Sequence, residues 1–229
     1  MSSKESIVIY YAKTDGLDAF FETPVIERFI SEERLKKMQK IRKKEDRLRA
    51  LGAGLLLEYG LRQQQMTQGM AANKKAVTIG YGANGKPLLE GKMPKDTRCH
   101  FNLSHSGNYV AAVFAKQEAG IDIEVLRYGK KRIAERFFSE IEKEFLKDNW
   151  DDSLFTKLWT RKESYIKADG RGMALGLNTF SVLEDCNFPY YLSSYNLSGK
   201  AWLSVCLKGE KPDIIPQEVD LKQFIEMEE

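Results

Sequence analysis

The sequence predicts an α+β protein of two similar lobes, and three observations lead there. Short runs rich in β-branched and aromatic residues, such as "SIVIYYA", "YVAAVFA" and "AWLSVCL", alternate with segments whose apolar residues recur at helical spacing. The order strand, helices, three strands occurs twice along the chain, without residue-level identity between the two passes. With 229 residues, 42% of them hydrophobic, the chain can bury one good core or two small ones pressed together, and it is too apolar to stay disordered. No Pro- or Gly-rich linker separates the passes, so the lobes are expected at residues 1–117 and 118–229, with a cleft between them.

Each element follows from local chemistry. "SIVIYYA" (6–12) reads as a buried strand ending in a polar turn. Ser31 stands where an N-cap belongs, with Glu32 and Glu33 in the first turn and Leu35, Met38 and Ile41 at helical spacing. A second helix begins near Glu45 and aligns Leu48, Leu51, Leu55 and Tyr59, while Gly52 and Gly54 predict close packing. Strands are expected at "AVTIGY", "HFNLSH" and "YVAAVFA", with turn chemistry in NGKP at 84–87. "GIDIEVL" opens the second pass; helical material runs from about 131 to 169, and strands return at "TFSVLE", "PYYLSSYNL" and "AWLSVCL".

Composition narrows the function. No apolar run approaches the length of a membrane span, and "MSSKESIVIYYAKTDG" is a polar lead into a strand without the order of a signal peptide, so a cytoplasmic protein with no membrane partner is expected. Cys99, Cys186 and Cys206 are odd in number, far apart and outside any CxxC pairing, which predicts buried, reduced thiols. His100 and His105 are the two histidines, so a bound metal would be a hard cation on carboxylates rather than zinc or copper. The net charge of +3 says little, but Arg34 to Arg49 carries nine Lys or Arg in sixteen residues, offset by Glu45 and Asp46. That run could serve a small phosphorylated ligand, an acidic protein or nucleic acid, or be a solvated helix face. No RNP-like strand, zinc finger or basic region feeding a heptad accompanies it, so nucleic acid is not expected.

Three stretches carry chemistry. In "EAGIDIEVLRY" (118–128), alternation puts Ile121, Ile123 and Val125 on one strand face and Asp122 and Glu124 side by side on the other. Two such charges, about 6.5 Å apart, repel by roughly 2.5 kcal/mol at an effective dielectric near 20 and by about 0.6 kcal/mol in water. The pair is therefore either a solvated outer face or a site for a cation. In "FTKLWTRKESYIKADGRG" (155–172), a helix sets Phe155, Leu158, Trp159 and Ile166 on an apolar stripe, with Glu163 and Lys167 four residues apart at its border and Gly170 and Gly172 ending it. A surface Glu-to-Lys pair is the ordinary reading of that spacing; the border position argues for the edge of a lobe. "FNLSHSG" gathers Asn102, Ser104, His105 and Ser106 at a strand end. No G-x-S-x-G elbow surrounds the Ser-His pair, and neighbours on a strand face opposite ways, so a hydrolase is set aside in favour of a backbone-satisfying turn or a phosphate-holding donor cluster.

Together, "FNLSHSG", "GIDIE" and "LWTRKESYIKADGRG", in this order and separation, closely resemble the signature segments of the Sfp-type 4′-phosphopantetheinyl transferases. The resemblance implies two similar α+β lobes in one monomer and transfer of phosphopantetheine from coenzyme A to a serine of an acidic acyl or peptidyl carrier protein. It implies that Asp122, Glu124 and Glu163 hold Mg²⁺, or Mn²⁺, with Glu163 as general base and Lys167 offsetting or protonating the departing bisphosphate. It places His105, Ser104, Lys86, Lys162 and Lys167 on the coenzyme, and Arg34, Lys37 and Arg49 around its 3′-phosphate. Ala50 and Arg34 depart from the threonine and lysine of some relatives, which bears on coenzyme affinity. Met173, Leu175 and Leu177, after Gly170, fall where relatives meet the carrier, and equally suit a core. A non-catalytic phosphate- or nucleic-acid-binding protein using the 34–49 run is the competing reading.

Overall fold

The structure, a computed structural model, describes residues 7–67, 78–81, 87–90, 99–183, 186–187, 189–209 and 214–227. Strand β1 (Val8–Lys13) leads through two short 3-10 turns to α1 (Glu32–Gln39) and α2 (Lys44–Thr67). Strands β2 (Thr78–Tyr81), β3 (Pro87–Glu90), β4 (His100–Ser106), β5 (Tyr109–Ala115) and β6 (Ala119–Val125) follow. Then come α3 (Lys131–Phe137), α4 (Glu140–Asp148), α5 (Asp152–Asp169), β7 (Cys186–Asn187), β8 (Tyr190–Leu197), β9 (Ala201–Lys208), β10 (Gln217–Glu218) and α6 (Leu221–Glu226). The class is α+β. Ser31 caps α1 by accepting from Arg34 N–H, as its position predicts. Asp151 caps α5 by accepting from Leu154 N–H, and Gly170 ends that helix at φ +81°, in the left-handed region that suits glycine.

Two four-stranded sheets, ordered β10-β1-β5-β4 and β6-β9-β8-β7, carry the fold, beside a β2-β3 pair. Side-chain alternation sorts them into layers. Tyr109, Ala111 and Val113 of β5 meet Ile121 and Ile123 of β6 and Leu203 and Val205 of β9 in a core between the sheets. Val110, Ala112 and Phe114, on the opposite face of β5, pack on Leu51, Leu55 and Leu56 of α2. The outer face of the second sheet packs Leu192 and Cys206 against Phe138, Phe155 and Leu158 of the α3–α5 region. Helix α2 is buried all round from Leu51 to Leu57. A Cβ on Gly60 would lie 2.1 Å from the Phe114 ring, so α2 sits on β5 more closely than any other residue would permit.

Two expectations change. Residues 217–226 return to the first sheet: β10 pairs in parallel with β1, and Val219, Leu221 and Ile225 join the core of α2. These residues, expected in the second lobe at 118–229, thus lie with the first sheet, which is mixed. "TFSVLE" forms no strand over its described residues, 179–183. Its backbone groups are bonded by buried side chains instead of a ladder: Glu142 accepts from Val182 N–H, Arg161 donates to Val182 O, and Lys162 donates to Phe180 O.

Candidate active site

Strands β4 and β6 are the inner edges of their sheets, and they meet along a seam. The outward N–H groups of β6 find side chains on β4: Ile121 N donates to Asn102 Oδ1 (2.9 Å), Ile123 N to Ser104 Oγ (3.3 Å) and Val125 N to Ser106 Oγ (3.3 Å). Both partners repeat every second residue, so three bonds form in step. The Asn-Ser-Ser face of "NLSHS" is thus an edge closure; a turn reading does not hold for it. Sequence reasoning grouped these residues but missed this use, although their period-2 spacing opposite that of β6 is its signature.

Helix α5 lies directly on β6 because position 120 is glycine. A Cβ there would stand 2.1 Å from Ser164 O and 2.4 Å from Ala168 N. The contact brings Lys167 over the strand, where its ammonium donates to Asp122 Oδ1 (2.7 Å), Ile121 O (3.0 Å) and Ser104 Oγ (3.1 Å). Lys167 thus pairs with Asp122, across elements. Asp122 is 4% exposed and Glu124 9%, which removes the solvated-face alternative. Buried carboxylates need partners. Ser104 Oγ donates to Asp122 Oδ1 (2.7 Å), Ser106 Oγ donates to Glu124 Oε2, and Arg127 pairs with Glu124 Oε1. Arg127, stacked 5.7 Å from the Trp159 ring, is a residue that sequence reasoning did not single out.

Glu163 completes the group. Burial raises the pKa of its carboxyl, and the nearby Asp122 and Glu124 charges raise it further against the opposing pull of Lys167 and Arg127. Three carboxylates thus share two cations, and the third acid bears the imbalance. Among the described residues, no group of three His, Cys, Asp or Glu side chains stands in ligating geometry. The donor set nevertheless suits a hard divalent cation. It offers only oxygens, and Asp122 Oδ2 is buried with no hydrogen-bond partner among the described residues.

The basic residues divide. Arg49 donates to Gly107 O (2.9 Å) and pairs with Asp46, placing its charge beside His105. The exposed His105 imidazole is held below the ordinary histidine pKa, by the protein packed around it first and then by the Arg49 and Lys167 charges. Arg34 and Lys37 come from α1; the Arg34 guanidinium lies over Gly54 of α2, and Lys37 is exposed. Lys162, expected on the coenzyme, faces the interior: it is fully buried and donates to Glu142 (2.7 Å), Leu177 O (2.7 Å) and Phe180 O (2.8 Å). Three acceptors use its three protons, so none is left for phosphate. Ser104 is likewise turned to the seam, with its hydroxyl fully engaged. Leu177 is core at 5% exposure, Leu175 is half-buried, and the Met173 side chain and Lys86 lie outside the described residues.

Residues 118–214 match the 4′-phosphopantetheinyl transferase superfamily, and residues 22–117 match the 4′-phosphopantetheinyl transferase N-terminal family. The chain is similar to the 4′-phosphopantetheinyl transferase Sfp of Bacillus subtilis (strain 168), with 32% identity over 214 residues covering 87% of this chain and 90% of the relative. It is similar also to the transferase ffp of Bacillus subtilis (31%, covering 89% and 92%) and, over 101 residues, to gsp of Aneurinibacillus migulanus (42%, covering 43% and 40%). The fold and these matches define a transferase enzyme. The chain belongs to the 4′-phosphopantetheinyl transferase family, of the Sfp type.

Proposed function

We propose that this chain moves 4′-phosphopantetheine from coenzyme A to a serine hydroxyl of an apo acyl or peptidyl carrier protein, releasing adenosine 3′,5′-bisphosphate, with Mg²⁺ or Mn²⁺ held by Asp122, Glu124 and Glu163. The observation that supports this reading most is the convergence of those three carboxylates, from a strand and a later helix, beside Lys167. A divalent ion there supplies charge neutralisation for a diphosphate ester. Glu163 takes the proton of the carrier serine, and its pKa, raised by burial and by the neighbouring carboxylates, makes it a stronger base than an ordinary glutamate. The serine oxygen bonds to the phosphorus that carries pantetheine, and the bond from that phosphorus to the bridging oxygen breaks. The electron pair leaves with the bisphosphate, towards Lys167. Alignment and charge do most of this work.

Arg49 lies beside His105, and the two suit a coenzyme phosphate; Arg34 and Lys37 of the basic run are assigned to the 3′-phosphate on the resemblance. Both sheets come from one chain, so a monomer supplies the whole site. The basic surface favours an acidic carrier in fatty acid, polyketide or nonribosomal peptide assembly. Cys99 and Cys206 are free thiols, in keeping with a cytoplasmic enzyme. No helix among the described residues is long and apolar enough to cross a membrane.

Incubation with coenzyme A, Mg²⁺ and several apo carriers, followed by mass spectrometry, tests the reading. One phosphopantetheine mass on at least one carrier is expected, and unmodified carriers throughout would defeat it. Glu163→Gln should lower transfer by about 10²–10⁴-fold while leaving polyanion binding intact. Polyanion binding by a wild type that transfers nothing to any carrier would favour the non-catalytic phosphate-binding alternative.

A further inference from the structure

We infer that Ser104 and Ser106 are positioning residues that fix how Asp122 and Glu124 present their oxygens to the divalent cation of the proposed function, on which this inference rests. A serine hydroxyl has one proton and two lone pairs. At Ser104 both lone pairs are committed, to Ile123 N–H at 3.3 Å and to Lys167 Nζ at 3.1 Å. The single proton is left for Asp122 Oδ1, 2.7 Å away. Lys167 donates to that same oxygen, so Oδ1 is doubly engaged. Oδ2, buried and without a partner among the described residues, is the oxygen that remains for a cation.

Ser106 makes the corresponding backbone and carboxylate bonds two residues along the seam, without a lysine. It accepts from Val125 N–H at 3.3 Å and donates to Glu124 Oε2, while Arg127 takes Oε1; each oxygen of the ionised carboxylate then keeps one lone pair for a cation. The backbone of β6 thereby orients two hydroxyls of β4, and those hydroxyls orient the two carboxylates that β6 itself carries. Ser104 also accepts from Lys167, whereas the bonds of Ser106 run to Val125 N–H and Glu124, which makes Ser106 the cleaner probe. Each acts through a carboxylate, and loss of such an outer partner typically costs about 10–100-fold in metal affinity.

Mn²⁺ binding to the full chain in the presence of coenzyme A, measured by calorimetry, tests this with wild type, Ser106→Ala and Ser106→Thr. The Mn²⁺ dependence of carrier modification is measured on the same proteins. Half-saturating Mn²⁺ should rise about tenfold in Ser106→Ala, with excess Mn²⁺ recovering the lost turnover, while Ser106→Thr, which keeps the hydroxyl, stays close to wild type. Ser106→Cys, near in shape but a weak donor, should give the same rise and serves if the alanine variant does not fold. Unchanged Mn²⁺ affinity in the alanine and cysteine variants overturns the inference and leaves the metal reading standing. Wild-type protein that takes up no Mn²⁺ overturns both.

Discussion

Lys162 and Lys167, five residues apart on α5, show how burial decides what a lysine does. Lys162 is sealed among Glu142, two carbonyls and the Phe180 ring, 4.3 Å from its nitrogen; Lys167 reaches across to β6 and keeps partial contact with solvent. Removing one member of a fully buried pair strands the other charge. Lys162→Met should therefore cost about 3–5 kcal/mol in denaturant melts, and adding Glu142→Gln should recover part of that loss. A loss below about 1 kcal/mol would show that Glu142 finds water or another partner. His105 makes a second residue-scale prediction. Its folded pKa lies below the ordinary value near 6.5, so the unfolded chain binds the proton first as pH falls. Its contribution is present above that pH and is lost as pH drops through it. NMR titration should place the His105 midpoint below 6.5, and a midpoint above it would contradict the cationic surroundings that Arg49 and Lys167 provide.

For the elements, the contact of α5 with β6 sets the site. It depends on Gly120, whose missing Cβ lets the backbone of residues 164–168 lie on the strand. Gly120→Ala must push the helix outward, since the obstacles are backbone atoms that cannot rotate away. A loss of about 1–3 kcal/mol or more is expected in thermal melts, together with weaker metal-dependent transfer, because Lys167 and Glu163 ride on that helix. Full stability and activity in this variant would mean that the helix tolerates a shift the geometry does not allow. The segment after α5 teaches the complementary lesson. "TFSVLE" has strand composition, yet Glu142, Arg161 and Lys162 occupy its backbone groups and keep it out of a ladder.

Across the whole molecule, the chain closes on itself. Strand β10 and helix α6 return to the first sheet and seat Val219, Leu221 and Ile225 in its core, with Phe224 edge-on to Phe29 and Tyr59 at 4.9 and 5.3 Å. A chain ending at Pro216 would lose the burial of these side chains, about 1.5–3 kcal/mol for each large one. Such a truncation should melt far below the full chain, and hydrogen exchange should open first in β1 and α2. A truncation as stable as the parent would show that the first sheet completes its core alone.

Period and composition sufficed for the α+β class, the Ser31 cap, the α2 and α5 helices and the alternation of "GIDIE", because each of these is settled by neighbours within a few residues. The same local reading paired Asp122 with Glu124 and Glu163 with Lys167, since both of their elements keep a regular spacing, but it left a surface face open for each pair, and only the resemblance joined the four in one site. Long-range packing decided everything that depends on which surfaces meet. The return of residues 217–226, the inward turn of Lys162, the seam of Asn102, Ser104 and Ser106 on β6, and the bonds of Asp122 to Ser104 and Lys167 and of Glu124 to Ser106 all join residues at least fifteen positions apart. A side chain's free energy there is set by what lies against it, and only the folded chain brings those partners together.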